Sequence, residues 1–284
     1  MKTVVSHKAI IYDSECPLCV AYTNAFVKLG IIGSGERISF AELEQQEFIS
    51  RLDPHRQGNE IPLVDLRGGK TLYGLDALLC LLGRRWPRFE NVCRTQPLYA
   101  FFLRLYALLS FNRRVILAKN YCSNRYSCAP AYHKNYRFAF LLAAALISVL
   151  VTWIFGEAVS KTIPAAAVLS GFRMLVVCSP GWILTLAAAV LFMKGDRLAY
   201  AGNLATLQII GVLVLLPASL IAPFLPAAAG FVLCAISVAC SSGLMLRGHI
   251  RRARLLALGQ GWTIAWLFFM EASAAAAVLF FICC

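Results

Sequence analysis

Charged residues are scarce in this sequence: Asp, Glu, Lys and Arg make up 14% of its 284 residues, against about 25% in soluble domains. Hydrophobic residues make up 60%, which is too much apolar surface for a disordered chain. Glycine and proline number 19 and 11, and these ordinary levels exclude collagen-like and low-complexity proteins. Most of the chain must therefore be buried, in a protein core or in lipid.

The few charges are concentrated in the first half. Residues 1–137 contain 19 basic and 11 acidic residues, whereas residues 138–284 contain only 8 and 3. A net charge of +13 can indicate nucleic acid or a membrane surface, but here basic residues cluster beside the apolar half. We therefore expect a soluble head joined to a membrane domain, with membrane lipid rather than nucleic acid as a partner.

Five segments of the second half are long enough to span a membrane, which takes about 20 apolar residues in a helix. A helix is expected because its backbone hydrogen bonds are satisfied in lipid. The predicted all-α bundle has helices at about 138–155, 174–193, 198–217, 227–246 and 262–284. Pro180, Pro217 and Pro223 are expected near helix ends or in a turn. Four helices are the alternative if one segment is re-entrant, and residues 157–173 could form an amphipathic surface helix.

Basic residues near the helix ends predict the orientation, since cytoplasmic flanks are enriched in Lys and Arg. With the head inside, the inner flanks carry 8 such residues and the outer flanks carry 2, Lys161 and Arg173. Residues 1–11 contain no long apolar core of the kind found in a secretory signal. We expect an integral protein of a bacterial inner membrane, with its head in the cytosol and Cys283 and Cys284 at the outer face.

A Cys-x-x-Cys pair, Cys16 and Cys19, lies between a predicted strand at residues 8–12 and a predicted helix at residues 20–29. Free N–H groups and the dipole at a helix N terminus stabilise a thiolate. Pro17 suits the first helical turn, where its missing N–H costs nothing. We therefore expect a lowered pKa for Cys16, which attacks, and we expect Cys19 to resolve the mixed disulfide.

An X-Pro bond at Pro62 opens the next predicted strand, residues 60–66. A glycine turn, a hairpin partner at residues 70–73 and a helix at residues 74–83 follow. In thioredoxin-like folds a cis-proline in this place borders the active-site disulfide. The element order therefore predicts a small α/β thioredoxin-like head, with Pro62 shaping the substrate groove.

The head resembles the DCC family of thiol-disulfide oxidoreductases, named for an Asp-x-x-Cys-x-x-Cys signature. Residues 12–19, Tyr-Asp-Ser-Glu-Cys-Pro-Leu-Cys, match this signature closely. Weaker landmarks lie at residues 61–64, 73–77 and 111–114. The resemblance covers about residues 8–137 and implies a thioredoxin-like fold and disulfide chemistry. The expected domains are a redox domain (1–95), a juxtamembrane connector (96–137) and a transmembrane bundle (138–284).

Two other interpretations of the pair are half of a zinc site and a structural remnant. A four-cysteine zinc site needs a second pair, and the remaining head cysteines, Cys80, Cys93, Cys122 and Cys128, form no second Cys-x-x-Cys. We expect no metal, and no organic cofactor either, since the dithiol itself carries two electrons. Asp13 has two open roles: it could exchange a proton with the resolving thiol or cap the following helix.

The stretch before the first membrane helix holds further candidates. Cys122 and Cys128 could close a small disulfide or receive electrons from the dithiol, although reduced thiols are commoner in the cytosol. Basic side chains could also bind anionic lipid headgroups there, at about 1 kcal/mol each. These side chains are Arg104, Arg113, Arg114 and Lys119.

In the membrane domain Glu271 stands out, because an ionised carboxylate is costly at the middle of a membrane. Gln208 lies at a similar depth and is its predicted hydrogen-bond partner, in either a packing role or a proton- or substrate-handling role. Cys178 could pass electrons to Cys283 and Cys284 in a transmembrane conduit. The alternative is that these cysteines pack as small apolar residues.

The sequence thus predicts one of two functions. The first is a membrane-anchored thiol-disulfide oxidoreductase whose cytosolic dithiol exchanges with a protein partner, with a site formed by Cys16, Cys19, Asp13 and Pro62. The second is an integral membrane protein whose thioredoxin-like head is a non-catalytic sensor or docking module, with function residing in the helical bundle.

Overall fold

A computed structural model describes residues 7–43, 50, 52–118, 130–162 and 170–283. The chain divides into two compact units, Met1–Arg137 and Phe138–Cys284. The described part of the predicted connector, residues 96–137, belongs to the first unit rather than to a separate body. The first unit is called the head below, and the second is called the membrane unit.

A four-stranded mixed sheet forms the centre of the head. Its strands are β1 (Lys8–Tyr12), β2 (Arg37–Ser39), β3 (Pro62–Asp65) and β4 (Leu72–Tyr73). The spatial order is β2-β1-β3-β4, with β1 parallel to β2 and with the other two pairs antiparallel. Because β1 and β3 are central, their side chains are buried on both faces of the sheet.

Six helices of the head surround this sheet in the described residues. They are α1 (Pro17–Lys28), α2 (Phe40–Leu43), α3 (Pro54–Gln57), α4 (Gly74–Arg85), α5 (Pro87–Cys93) and α6 (Leu98–Leu117). A proline occupies the first turn of α1, α3 and α5, where no backbone N–H is required. The end of α1 is fixed by Gly30, whose φ of 66° is the left-handed conformation that glycine adopts readily.

Successive residues of the central strands face opposite sides of the sheet, as the strand period of two requires. Ile10 and Leu63 pack in one hydrophobic cluster with Phe26 of α1 and Leu81 of α4. Their neighbours Ile11 and Val64 lie in another cluster, which includes both cysteines of the Cys-x-x-Cys pair. The pair is therefore part of the apolar packing on one face of the sheet.

The membrane unit contains five helices in the described residues, each long and apolar enough to cross a membrane, as in an integral membrane protein. They are α7 (Lys134–Thr162), α8 (Gly171–Phe192), α9 (Arg197–Ile221), α10 (Ala227–Leu255) and α11 (Gln260–Cys283). The predicted number of five is confirmed over this part of the chain. The helix α7 begins four residues before Phe138, at the end of the head, and it continues through residues 157–162 of the proposed surface helix.

Pro180 was expected near a helix end but lies in the middle of α8. Pro217 lies within α9 but near the helix end, as expected. Prolines are tolerated within membrane helices because neighbouring helices and side chains satisfy the freed backbone groups. Next to Pro180, Gly181 lets α11 approach closely, since an added Cβ would lie 2.8 Å from the Met270 Cα. Pro223 does lie in a turn, the 3₁₀ segment Ala222–Phe224.

Candidate functional site: a buried dithiol in the head

The dithiol lies where β1 passes into α1. After Tyr12 the chain makes a turn in which the Cys16 N–H donates to the Asp13 carbonyl at 3.1 Å. Cys16 is the N-cap of α1 and Cys19 lies in its first turn. Both are thiols, and neither is part of a disulfide. The strand, the turn and the proline-initiated helix thus bring two thiols to one end of the sheet.

The two thiols are buried together. Cys16 is 0% exposed and Cys19 is 1% exposed. Hydrogen bonding to Cys19 raises the pKa of Cys16, and burial raises it further, while the Cys19 backbone N–H and Arg113 act in the opposite direction. The expected lowering of the Cys16 pKa at the helix N terminus is therefore wrong for this packed arrangement. The neighbouring sulfur and the apolar surroundings outweigh the helix.

Arg113 of α6 reaches the dithiol from the other side. Its Nη1 lies 3.9 Å from the Cys19 Sγ. Its Nη2 donates to the Asn59 carbonyl at 3.1 Å and to the Ser110 Oγ at 2.8 Å. Arg113 is 5% exposed, so the prediction that it binds lipid headgroups is wrong. A guanidinium held by a backbone carbonyl and a hydroxyl is a fixed positive charge beside a thiol.

The other predicted lipid-binding residues differ from Arg113. Arg104 and Arg114 are exposed on α6, and Lys119 lies outside the described residues. Binding of these side chains to anionic headgroups stays a prediction.

Several contacts fix α6 over the dithiol. The Tyr106 hydroxyl accepts from the Ile61 N–H at 3.1 Å. The Asn112 amide donates to the Tyr136 carbonyl at 2.9 Å, and the Phe111 ring stacks on the Tyr136 ring at 4.8 Å. At the end of the helix, Leu117 packs against the cluster that contains both cysteines. Residues 111–114 thus anchor α6 and supply Arg113.

Asp13 stabilises the turn that carries the dithiol. It is 4% exposed, and its Oδ1 accepts from the Glu15 N–H at 2.8 Å. The N-cap position itself belongs to Cys16, so Asp13 caps the turn rather than the helix. A proton-transfer role for Asp13 stays a prediction.

Pro62 opens β3, as predicted, and pairs with Tyr73 of β4. The cis peptide bond found in the described residues is Gln96–Pro97, so the bond before Pro62 is trans. This differs from the cis-proline expected at that place in a thioredoxin-like fold. The assignment of Pro62 to a substrate groove stays a prediction.

The secondary redox candidates are mostly beyond the described part of the chain. Cys122, Cys128 and Cys284 lie outside it, as does the side chain of Cys283. Cys178 is exposed on α8 and lines a cavity of about 560 Å³ between α7, α8 and α9. The transmembrane conduit that would join Cys178 to the C-terminal cysteines therefore stays a prediction.

The predicted hydrogen bond between Glu271 and Gln208 is wrong. The Gln208 Oε1 is buried without a hydrogen-bond partner in the described residues, and Glu271 is exposed on α11. The physical reason is the pairing of the helices, since α11 packs mainly along α8 whereas α9 packs mainly along α10. Similar depth in the membrane did not place the two side chains together.

A buried polar network centred on His249 was missed by the sequence. His249 is 0% exposed, and its ring stacks on Trp266 at 4.6 Å. Its two ring nitrogens lie 3.1 Å from the Tyr200 hydroxyl and 3.1 Å from the Thr263 hydroxyl. These contacts join α9, α10 and α11. A possible signal was that His249 is the only histidine in residues 138–284.

Arg252, one helical turn after His249, is also buried. Its Nη1 donates to the Asn203 Oδ1 at 2.8 Å. It is 6% exposed, and it is one of the eight basic residues that the sequence assigns to the inner flanks. The membrane unit therefore holds a polar cluster at the end of α10, among helices that are otherwise apolar.

Within the described residues, no group of three or more His, Cys, Asp or Glu side chains is arranged to hold a metal ion. Comparisons with protein-family models, curated proteins and solved structures found nothing that matches this chain. The function must therefore be argued from the site itself.

Proposed function

We propose that this protein is a membrane-anchored thiol-disulfide oxidoreductase with Cys16 and Cys19 as its redox-active dithiol. The observation that carries the proposal is the pair of thiols at the junction of β1 and α1, buried together in one cluster, with the Cys19 Sγ 3.9 Å from the buried Arg113 guanidinium. A thiolate is the reactive form of cysteine, and a nearby cation favours it.

The topology of the head supports a thioredoxin-like assignment. A strand leads directly into the dithiol and its helix, the next strand is parallel to the first, and an antiparallel pair completes the sheet in the order β2-β1-β3-β4. This is the arrangement expected of a small thioredoxin-like unit, and its dithiol lies at the expected end of β1. The trans bond before Pro62 is a departure from that pattern.

The proposed reaction is a dithiol–disulfide exchange. One cysteine thiolate attacks a sulfur of the partner's disulfide, forming a mixed disulfide and releasing a partner thiolate that takes up a proton. The second cysteine then loses its proton and attacks the mixed disulfide, which releases the other partner thiol. The partner gains two electrons and two protons, and Cys16 and Cys19 form a disulfide. A second cellular dithiol would reduce that disulfide again.

Burial of both sulfurs means that exchange requires the head to open. On the α6 side, Arg113 contacts the Cys19 sulfur and Leu117 packs against the cluster that contains both cysteines. A protein partner that displaces the end of α6 would expose the dithiol without disturbing the sheet.

The membrane unit would hold this chemistry at the inner face of a bacterial inner membrane. The support is the excess of basic residues on one side of the helices, 8 against 2. The exposed Arg104 and Arg114 of α6 would add attraction to anionic lipid headgroups. This orientation places the dithiol in the cytosol.

Turnover and trapping test the proposal together. Purified full-length protein in detergent should accelerate the reduction of disulfide-bonded insulin by dithiothreitol, and Cys16→Ser and Cys19→Ser should each reduce the rate to background. At least one of the two variants should accumulate a mixed disulfide with insulin. Cys93→Ser is the matched control, because Cys93 is also buried in the head but lies in another cluster, and it should keep full activity.

The second candidate is a non-catalytic docking or sensor head, with function in the helices. The observation that favours it is the burial of both thiols, at 0% and 1% exposure. It predicts no turnover and no trapped adduct in any variant, together with an unchanged cellular phenotype for Cys16→Ser. Those results would reject the oxidoreductase.

A further inference from the structure

We infer that Arg113 is a positioning residue that holds Cys19, rather than Cys16, as the thiolate of the reduced dithiol. The consequence of this inference for catalysis rests on the proposed disulfide exchange. The ionisation of Cys19 itself is a property of the reduced head before any reaction. The sequence had assigned Arg113 to lipid binding and the thiolate to Cys16.

The first argument is the geometry of Arg113. Nη2 is shared between the Asn59 carbonyl and the Ser110 Oγ, at 3.1 Å and 2.8 Å. The Ser110 hydroxyl also donates to the Asn59 carbonyl. With Nη2 held in this way, Nη1 faces the Cys19 Sγ at 3.9 Å. The charge is thus anchored by α6 and by the segment before β3.

The second argument is electrostatic. The guanidinium is always protonated, and a buried cation is costly unless it has charged or strongly polar partners. A thiolate at Cys19 supplies such a partner at short range, in a site where screening by water is weak. A positive charge within about 4–6 Å of an acidic group typically lowers the pKa of that group by about 1–3 pH units.

The third argument compares the two cysteines. The Cys16 thiol hydrogen-bonds to Cys19 and lies in apolar surroundings, both of which raise its pKa. A thiol that donates to a neighbouring sulfur stabilises that neighbour as the anion. The Cys19 backbone N–H and Arg113 also favour a thiolate at Cys16, but the causes that raise the Cys16 pKa outweigh them, and Arg113 lies 3.9 Å from the Cys19 Sγ itself.

Other ionisable groups around the dithiol are Asp13 in the same turn and the phenols of Tyr12 and Tyr22, which pack against the cysteine cluster. A negative charge on Asp13 opposes a thiolate at the dithiol. The Arg113 guanidinium contacts the dithiol and offsets that effect.

The assignment reverses the order of bond formation. The Cys19 thiolate forms the first bond to the partner's sulfur and releases one partner thiolate. The Cys16 thiol then loses its proton and attacks the Cys19 sulfur of the mixed disulfide, releasing the second partner thiolate. Each partner thiolate takes up one proton: one is the proton that Cys16 loses, and the other comes from the solvent, which received the Cys19 proton when that thiol ionised.

The ionisation order is measured on the full-length protein in detergent. Cys16→Ser leaves Cys19 as the reacting thiol and keeps a hydroxyl donor beside it, and Cys19→Ser leaves Cys16. Iodoacetamide labelling of the remaining thiol is followed over a pH series by mass spectrometry of the peptide. Burial slows labelling at every pH alike, so the pH midpoint reports ionisation. Cys19 should have the lower midpoint, by at least about one pH unit.

Substitutions then test Arg113 itself in the Cys16→Ser background. Arg113→Gln should raise the Cys19 midpoint by about 1–3 pH units, and Arg113→Lys should raise it less because the charge remains. Arg114→Gln removes the same charge from the adjacent, exposed position and should leave the midpoint unchanged. If Arg113→Gln does not fold, the comparison between Cys16 and Cys19 with Arg113 in place still decides the ionisation order.

A lower midpoint for Cys16 than for Cys19 would overturn the inference, as would a Cys19 midpoint that Arg113→Gln leaves unchanged. Trapping gives a second readout, since Cys16→Ser should accumulate the mixed disulfide with insulin and Cys19→Ser should not. If Cys19 ionises first but no variant shows turnover or an adduct, the proposed function fails and the role of Arg113 in ionisation stands. If turnover occurs but Cys16 ionises first, the inference about Arg113 fails and the proposed function stands.

Discussion

The head and the membrane unit each bury an arginine beside an asparagine, and the difference between them shows where chemistry is expected. Arg113 is held by the Asn59 backbone carbonyl and reaches the Cys19 Sγ. Arg252 donates to the side-chain oxygen of Asn203, one helical turn from the fully buried His249. The first arrangement places a positive charge against a group that can become a nucleophile.

The second arrangement joins helices. Tyr200, Thr263 and Trp266 surround His249 with two hydrogen bonds and a stacked ring. No thiol is among these contacts of the described residues. We therefore expect substitutions in the His249 network to change stability, and substitutions around Arg113 to change thiol reactivity.

The largest expected effect on stability is that of His249→Ala. It removes a stacked ring and leaves the Tyr200 and Thr263 hydroxyls buried without their partner, which should cost about 2–4 kcal/mol. Denaturant titration in detergent micelles measures the loss, and Ile236→Ala, at a position 56% exposed on the same helix, is the control with little effect. A changed pH midpoint for Cys19 in folded His249→Ala protein would contradict the expectation that the His249 network affects stability and not thiol reactivity.

A smaller effect is expected at the helix N-caps of the two units. Asp196 accepts from the N–H groups of Leu198 and Ala199 and caps the long helix α9, so Asp196→Ala should cost about 0.5–2 kcal/mol. Asp53 caps the single turn of α3 through one bond, to the His55 N–H, and Asp53→Ala should cost less. The same titration measures both variants, and a larger loss at Asp53 would contradict this ranking.

The smallest effect is expected for the exposed ion pairs of the head. Arg94 contacts Glu90 and Asp76 at 2.9 Å each, but Arg94 and Asp76 are exposed to solvent and Glu90 is only partly buried. Arg94→Ala should therefore cost less than about 1 kcal/mol, and added salt should reduce the difference from the parent protein. A loss as large as that of His249→Ala would show that burial is a poor guide to energetics in this protein.

Local patterns in the sequence predicted local structure well. The strand, the proline-initiated helix and the Cys-x-x-Cys turn follow from neighbouring residues, and five apolar runs predicted five helices. The helix ends were less well placed, since α7 continues to Thr162 and α10 to Leu255. Hydropathy falls at the first polar residues, whereas a helix continues beyond the hydrocarbon core for as long as its backbone bonds remain satisfied.

Contacts between distant residues could not be predicted in the same way. Arg113 and Cys19 are 94 residues apart, and Tyr200 and His249 are 49 residues apart. Neither contact produces a periodic pattern in the sequence, because each contact depends on which elements are neighbours in the folded protein. The predicted pairing of Glu271 with Gln208 failed for the same reason. The sequence indicated the depth of each side chain in the membrane, but it did not indicate which helices are neighbours.

The most direct measurement of the central claim is the fate of the dithiol after reaction with a disulfide. Reduced full-length protein is mixed with an excess of disulfide-bonded insulin, remaining thiols are blocked, and the peptide that contains Cys16 and Cys19 is examined by mass spectrometry. If the protein is a thiol-disulfide oxidoreductase, Cys16 and Cys19 should form an intramolecular disulfide. For each protein molecule that does so, one insulin disulfide should be reduced to two thiols. Two blocked thiols in that peptide, with insulin still oxidised, would contradict this expectation.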